Sequence, residues 1–269
     1  MAKNLQPSLT NNHRRRGSGR SFIVCVFSRK VPYHGGVDYL ESYFRSNYAK
    51  IQRSGVTGLG NAWADQSLLK TLRKSTHSKV LELGASSGEF SAKALKRLRP
   101  EQYVMSDISP GNTNPAFLAR LKESFPKNLS VIEADAQSLP LANETFDLTF
   151  STCLLAHVLD PSAVIREALR VTKIGGTVVF LLPADPGIAN QMLKRIVTYP
   201  RMRNQGIADP DFLYAIGHSH PFHNLLARLR FELKGFRWQT RYHPFLIPSY
   251  NLNLWAIVSI RKDQQASAG

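Results

Sequence analysis

The apolar positions of this chain fall into two rhythms. From about Val37 to Arg53, Leu40, Phe44, Tyr48 and Ile51 recur at spacings of four, four and three, which places them on one helix face. Ser54-Gly55 and Gly58-Leu59-Gly60-Asn61 then break the pattern, and a second helix is expected from about Ala62 to Lys74. After that, short apolar runs alternate with helical ones. Lys79–Leu83, Tyr103–Ser106, Leu129–Ile132 and Phe146–Phe150 read as strands, and Glu89–Leu98 and Pro115–Ser124 as the helices after the first two.

The next helix carries clear punctuation. Asp160 suits its N-cap and Pro161 its first turn, Val164, Ile165, Ala168 and Leu169 form its apolar stripe, and Lys173 and Gly175-Gly176 are expected to close it. Thr177–Leu182 reads as a fifth strand. Strands alternating with helices imply right-handed parallel βαβ units. A helix over Phe222–Leu233 precedes two strands, about Phe236–Tyr242 and Leu252–Ile260, with no helix between them, so these should pair antiparallel. The expected fold is α/β: a doubly wound, Rossmann-like, seven-stranded sheet, mostly parallel with a C-terminal antiparallel hairpin.

Composition adds limits. The chain has 269 residues with 43% hydrophobic content, enough for a sizeable core. Its two cysteines, Cys25 and Cys153, exclude a disulfide framework and suit a reducing compartment, here expected to be the cytoplasm. No apolar run approaches a membrane span. The net charge of +16 is unevenly spread. Residues 1–37 hold seven basic side chains and no acid, residues 38–184 hold 17 basic against 14 acidic, and residues 185–269 hold 11 against 5. The first stretch, with Arg14-Arg15-Arg16 and Arg20, reads as a disordered basic arm. A solvated tail, a start codon placed too far upstream and a transit-type leader are open readings of it. The expected organisation is this arm over 1–37 and one domain over 38–269, with a helical cap at 38–78 and a lid insertion at 184–221.

The candidate chemistry begins at the end of the first strand, in Glu82-Leu83-Gly84-Ala85-Ser86-Ser87-Gly88-Glu89. A dinucleotide fingerprint would need glycine where Ser86 and Glu89 stand, and a P-loop would need a closing Gly-Lys-Ser/Thr. Neither is met. Small residues alternate instead at 84, 86 and 88, two residues after an acid. Asp107 ends the second strand, Asp135-Ala136 follows the third, Leu139-Pro140-Leu141 and Phe146-Asp147 precede and enter the fourth, and Leu154–Val158 and Gly175-Gly176-Thr177 come after it. This ordered set resembles the class I S-adenosylmethionine-dependent methyltransferases, in a small-molecule branch, over about residues 38–262. Ser86 stands where that family most often has a middle glycine. The resemblance implies S-adenosylmethionine as cofactor, with contacts from Glu82, Gly84, Ala85, Ser86, Gly88, Asp107, Ile108, Asp135, Ala136 and Ser151. It implies Asp107 on the ribose hydroxyls and Asp135 near the adenine amino group. A carboxylate accepts paired hydrogen bonds from a diol better than a neutral side chain.

Methyl transfer asks the protein for alignment and, for a hydroxyl acceptor, removal of a proton. His157, just past the fourth strand, is the candidate base, with a packing role as the alternative. Ser151-Thr152-Cys153-Leu154 departs from the Asn/Asp-Pro-Pro-Tyr/Phe motif of nucleobase amino methylases. The insertion after the fifth strand should cover the acceptor, giving Tyr48, Asp185, Tyr214 and His220 as acceptor-site candidates. His218, His220 and His223 match no zinc pattern and read as a polar turn, and no metal is expected. The expected partner is a small-molecule, lipid or glycan acceptor, with peripheral contact to an anionic membrane suggested by the basic C-terminal third. Nucleic acid is disfavoured, because no added RNA-binding module is recognisable. An RNA-modifying enzyme using the arm and a non-catalytic cofactor-binding module stand as alternatives, and the sequence carries no signal for oligomeric state.

Overall fold

The computed structural model describes residues 55–73, 77–111 and 114–263. The basic arm, the helix expected over 37–53 and Tyr48 lie outside the described residues.

Helix α1 (Gly55–Leu72) is followed by β1 (Lys79–Leu83), α2 (Glu89–Leu98), β2 (Gln102–Asp107), α3 (Pro115–Ser124), β3 (Leu129–Glu133) and β4 (Phe146–Thr152). Then come α4 (Pro161–Val171) and β5 (Thr172–Pro183). The insertion holds α5 (Ile188–Leu193), a π-helical turn (Lys194–Thr198), α6 (Tyr199–Asn204) and α7 (Pro210–Gly217), and α8 (Phe222–Glu232), β6 (Arg237–His243) and β7 (Trp255–Arg261) complete the chain.

The sheet order is β3-β2-β1-β4-β5-β7-β6. β1 to β5 pair in parallel, and β7 inserts antiparallel between β5 and β6. The expected architecture is therefore present, hairpin included. β1 and β2 are apolar runs because helices cover both faces of the sheet. On one face the stripe Val164, Ile165, Ala168 and Leu169 of α4 meets Phe222, Leu225 and Leu229 of α8 over Leu81, Leu83, Val178 and Phe180. On the other, Leu68, Leu69 and Leu72 of α1, Phe90 and Leu95 of α2 and Leu118 and Leu121 of α3 pack over Val80, Tyr103, Met105 and Phe150. α4 starts as its residues predict: the Asp160 side chain accepts from the Ser162 N–H, with Pro161 in the first turn.

Three expectations are corrected. The glycines between 55 and 60 do not break the chain, because α1 begins at Gly55 and runs through Gly58 and Gly60. A helical glycine costs about 1 kcal/mol, and the buried leucines of the last turns outweigh that. Gly175-Gly176 does not cap α4, which ends at Val171; the pair lies inside β5. The register with β4 shifts between Phe146 and Leu148, Gly175 has φ +79°, and a Cβ on Gly176 would meet the Asp147 carbonyl at 3.0 Å. The glycines serve a bulge. The last strand starts at Trp255 rather than Leu252, because buried Asn253 organises the preceding loop. Its amide donates to the Ile247 and Ser249 carbonyls at 2.9 and 2.8 Å and its Oδ1 accepts from the Phe245 N–H at 2.9 Å.

Candidate active site

The carboxyl ends of the parallel strands converge where doubly wound sheets bind ligands. At the end of β1, the backbone turns through left-handed conformations at alternate residues: φ is +68° at Gly84, +52° at Ser86 and +85° at Gly88. A Cβ on Gly84 would lie 2.7 Å from the Leu154 side chain, and one on Gly88 would lie 2.8 Å from that of Leu121. Glycine is thus required at 84 and 88 by conformation and by space, and Ser86 adopts its conformation against its own preference. Ala85 is held by its N–H to the Ser106 carbonyl at 3.1 Å.

Glu82 is fully buried. Its Oε2 accepts from Ser91 Oγ of α2 at 2.5 Å and from the Tyr103 hydroxyl of β2 at 2.6 Å. It therefore ties β1 to its neighbouring helix and strand and sets the loop between them. Burial, opposed by those two hydrogen bonds, pushes its carboxyl up to about 7. Its other oxygen, Oε1, is buried with no hydrogen-bond partner among the described residues.

Asp107, the last residue of β2, is also buried. One oxygen accepts from the Ser86 N–H at 2.7 Å and the other from the Ser109 N–H at 2.8 Å. Burial raises its pKa, and the backbone donors at Ser109, Ser86 and Ile108 work against that. Each oxygen keeps a further lone pair for a ligand donor. Past β3, Asp135 accepts from the Gln137 N–H at 2.8 Å, and Ala136 is buried in the core. The Leu139-Pro140-Leu141 run is fixed from α4, where Arg170 donates to the Leu139 and Leu141 carbonyls at 3.1 and 2.7 Å. Ser151 Oγ, on β4, is buried without a partner among the described residues.

The other half of the edge is assembled from distant segments. Asp185 follows β5. Its Oδ1 accepts from Gln191 Nε2 at 2.9 Å, and its Oδ2 accepts from Lys194 Nζ and faces His218 Nδ1 at 3.1 Å. Burial would raise this carboxyl, but His218 and Lys194 together hold it down to about 2. Lys194 is itself 5% exposed and lies over the Tyr214 ring at 4.0 Å from its centroid. It opens the π-helical turn, while the next two side chains, Arg195 and Ile196, point outward. Such a wide turn is a common functional device in helices.

His157 follows a 3₁₀ turn (Leu154–Ala156) at the end of β4. Its Nδ1 lies 2.6 Å from the Gly217 carbonyl, which requires a proton on that nitrogen, and its ring meets His218 edge-on at 4.8 Å. Burial and the neighbouring His218 push its pKa down to about 3. His220 Nε2 reaches the Val158 carbonyl at 2.9 Å, and its N–H the Ala156 carbonyl at 3.4 Å. The histidine turn is thus laced onto the turn after β4, whose Leu154 packs on Gly84. His218, read from sequence as part of a polar turn, instead joins Asp185; Lys194 and Gln191 were missed as its companions. Their spacing of six and nine residues after Asp185 is the signal that was available. Among the described residues there is no cluster of three or more potential metal ligands.

Residues 81–180 match a family model described as a methyltransferase domain. This part of the chain is thus similar to methyltransferase domains. The methyltransferase domain is 32% identical over 108 residues to 2-methyl-6-phytyl-1,4-hydroquinone methyltransferase 2, chloroplastic, of Oryza sativa subsp. japonica, a match covering 40% of this chain and 30% of that protein. It is 27% identical over 163 residues to the ubiquinone/menaquinone biosynthesis C-methyltransferase UbiE of Coxiella burnetii, covering 59% of this chain and 65% of the relative. The chain therefore spans less than two thirds of the curated relatives it matches. Among solved structures, the N-methyltransferase NodS from Bradyrhizobium japonicum WM9, in complex with S-adenosyl-L-homocysteine, has the same fold, with a TM-score of 0.56 at 16% identity, covering 84% of this chain and 97% of that one.

The edge formed by these strand ends has features that would suit S-adenosylmethionine. Asp107 offers spare acceptor capacity for a diol, and the turn before it holds its left-handed shape with Gly84 and Gly88 packed on Leu154 and Leu121. Among the described residues, no helix is long and apolar enough to cross a membrane.

Proposed function

We propose that this chain transfers a methyl group from S-adenosylmethionine to a small-molecule acceptor. The observation that carries the reading is the left-handed turn at 84, 86 and 88 beside a buried Asp107 whose two oxygens are each fixed by one backbone N–H. In this reading Gly84, Ala85, Ser86 and Gly88 cradle the methionine part, Asp107 and Ile108 the ribose, Asp135 and Ala136 the adenine, and Ser151 lines the floor. Glu82 orders the turn through Ser91 and Tyr103. When bound, the cofactor supplies an activated methyl group on a sulfonium sulfur, so the chain's task is to bind, orient and exclude water.

The 184–221 insertion acts as the lid over the acceptor. Its two ends are pinned together by the Phe222 N–H on the Asp185 carbonyl at 2.7 Å, and it lies on the turn after β4 through Ser219 and His220. Tyr214 lines the acceptor space, Asp185 holds the lid through Gln191, Lys194 and His218, and His220 positions the turn. A lipid-borne acceptor is favoured over a glycan by the outer face of the lid. Ile188, Met192 and Ile196, four residues apart, are 61%, 56% and 69% exposed, and Phe245, Leu246 and Ile247 are exposed on the β6–β7 loop. The Ala189 N–H on the Asn251 carbonyl at 2.8 Å joins that loop to α5. An apolar tail or a membrane surface suits such a face.

Isothermal titration with S-adenosylmethionine tests the reading. The native chain should bind, and Asp107→Ala should weaken binding by about 100-fold, the loss of two charge-assisted hydrogen bonds. Absence of binding by the native chain would overturn the proposal.

A further inference from the structure

We propose that His218, oriented by Asp185, is the group that takes the acceptor's proton, and that the acceptor is accordingly a hydroxyl-bearing molecule. This inference rests on the methyl-transfer reading and adds to it the residue and the acceptor chemistry.

The argument is geometric. The contact between His218 Nδ1 and Asp185 Oδ2 at 3.1 Å puts the proton of the neutral ring on Nδ1 and the lone pair on Nε2. Nε2 makes no hydrogen bond among the described residues. A carboxylate behind one imidazole nitrogen, with the other nitrogen free, is the arrangement by which proteins fix the tautomer of a general base and stabilise the cation it becomes. The ring is 20% exposed, so it is reachable. Its segment is fastened to Ala156 and Val158, on the turn whose Leu154 packs against Gly84. The dyad therefore stands over the strand end beside the cofactor turn.

The charged and titratable groups around His218 come from every element packed on it. Asp185 follows β5, Lys194 lies in the π-helical turn and shares the same carboxylate oxygen, Tyr214 of α7 meets the ring edge-on at 5.4 Å, and His157 meets it from the turn after β4. Lys194 and Gln191 keep Asp185 ionised and aimed. His157 is spent on the Gly217 carbonyl, one residue before His218, and is held neutral by burial, so it neither competes for the proton nor repels it. It is a positioning residue.

The step balances. The acceptor's O–H bond breaks, its proton goes to His218 Nε2 and its electron pair stays with the acceptor. That pair forms the bond to the methyl carbon, and the methyl–sulfur pair leaves on sulfur. The positive charge lost at sulfur reappears on the imidazolium, beside the Asp185 carboxylate.

The test uses the full chain, radiolabelled S-adenosylmethionine and a protein-free cell extract as the acceptor source. His218→Gln should lower transfer by about 100-fold or more while cofactor affinity, read by calorimetry, is unchanged. Free imidazole should restore part of the rate to His218→Ala. In the native chain, the acid limb of the pH–rate profile should coincide with the His218 imidazole titration followed by nitrogen NMR without acceptor. Transfer by His218→Gln at the native rate with the native pH profile overturns the proposal, as does an NMR titration that departs from the rate limb. If the native chain neither binds the cofactor nor transfers label, the methyl-transfer reading falls and this inference with it.

Discussion

Asp107 and Asp185 stand at strand ends on one edge of the same sheet, and their surroundings differ in kind. Asp107 is buried among neutral backbone donors, and burial dominates, so its pKa is raised. Asp185 is buried beside an ammonium and an imidazole, and these win, holding it down to about 2. The first environment suits a group that waits for hydroxyl donors from a ligand. The second suits a group that must remain an anion throughout a proton transfer next door. Desolvation is common to both, and the charge of the neighbours decides the outcome.

The comparison can be broken most directly by neutralising each carboxyl. Asp185→Asn removes the carboxylate paired with buried Lys194, leaving only the more distant Asp211, and should cost about 3 kcal/mol of unfolding stability in denaturant titrations. Lys194→Met in the same chain should recover most of it. Asp107→Asn keeps an acceptor oxygen and strands no cation, so it should cost only about 1 kcal/mol. Equal losses at the two sites would show that the two halves of the edge are not built differently.

A smaller effect separates the halves by pH. Glu82 is raised in the folded state to about 7, so its contribution is fully present below the unfolded carboxyl value and is lost as pH rises through 7. His157 is lowered to about 3, so its contribution is present above the unfolded imidazole value and is lost as pH falls towards 3. Each slope is at most about 1.4 kcal/mol per pH unit, and the two oppose one another where their windows overlap. Relative to the native chain, Glu82→Gln should be increasingly favoured as pH rises from 5 to 7, and His157→Gln increasingly favoured as pH falls from 6 to 4. Thermal melts across this range would reveal parallel curves if neither group titrates as described.

The smallest effect concerns the cofactor turn alone. Ser86→Gly relieves a left-handed serine and should stabilise the fold by about 1 kcal/mol, whereas Gly84→Ala should destabilise it through the Leu154 clash. A loss on Ser86→Gly would mean that the serine side chain contributes more than its conformation costs.

The two halves also differed in how far their residues announced themselves. The half proposed to hold the cofactor has local determinants, so its residues stand out in the sequence. Glu82, Gly84 and Gly88 lie on one turn, and Asp107 and Asp135 end consecutive strands, so the strand–turn–helix rhythm locates them. The helix start at Asp160 was legible for the same reason. Asp185, Lys194 and His218 span 33 residues, through an insertion with no repeating pattern. What brings them together is a π-helical turn and the lacing of residues 217–220 onto residues 156–158, which are tertiary facts. The departures around Gly55–Asn61 and Gly175-Gly176 share a cause: glycine permits a break, and packing by distant residues decides whether the chain breaks there.

The arginines of β6 have a consequence beyond the site. β6 ends the sheet among the described residues, so one row of its backbone amides and carbonyls faces no described strand. Its outward side chains are Arg237, Gln239 and Arg241, with Arg237 82% exposed. Charged side chains on an edge strand discourage edge-to-edge pairing with a second chain. Here Arg237 also holds Asp263 at 2.7 Å, so part of the basic excess in the last third is paired within the chain.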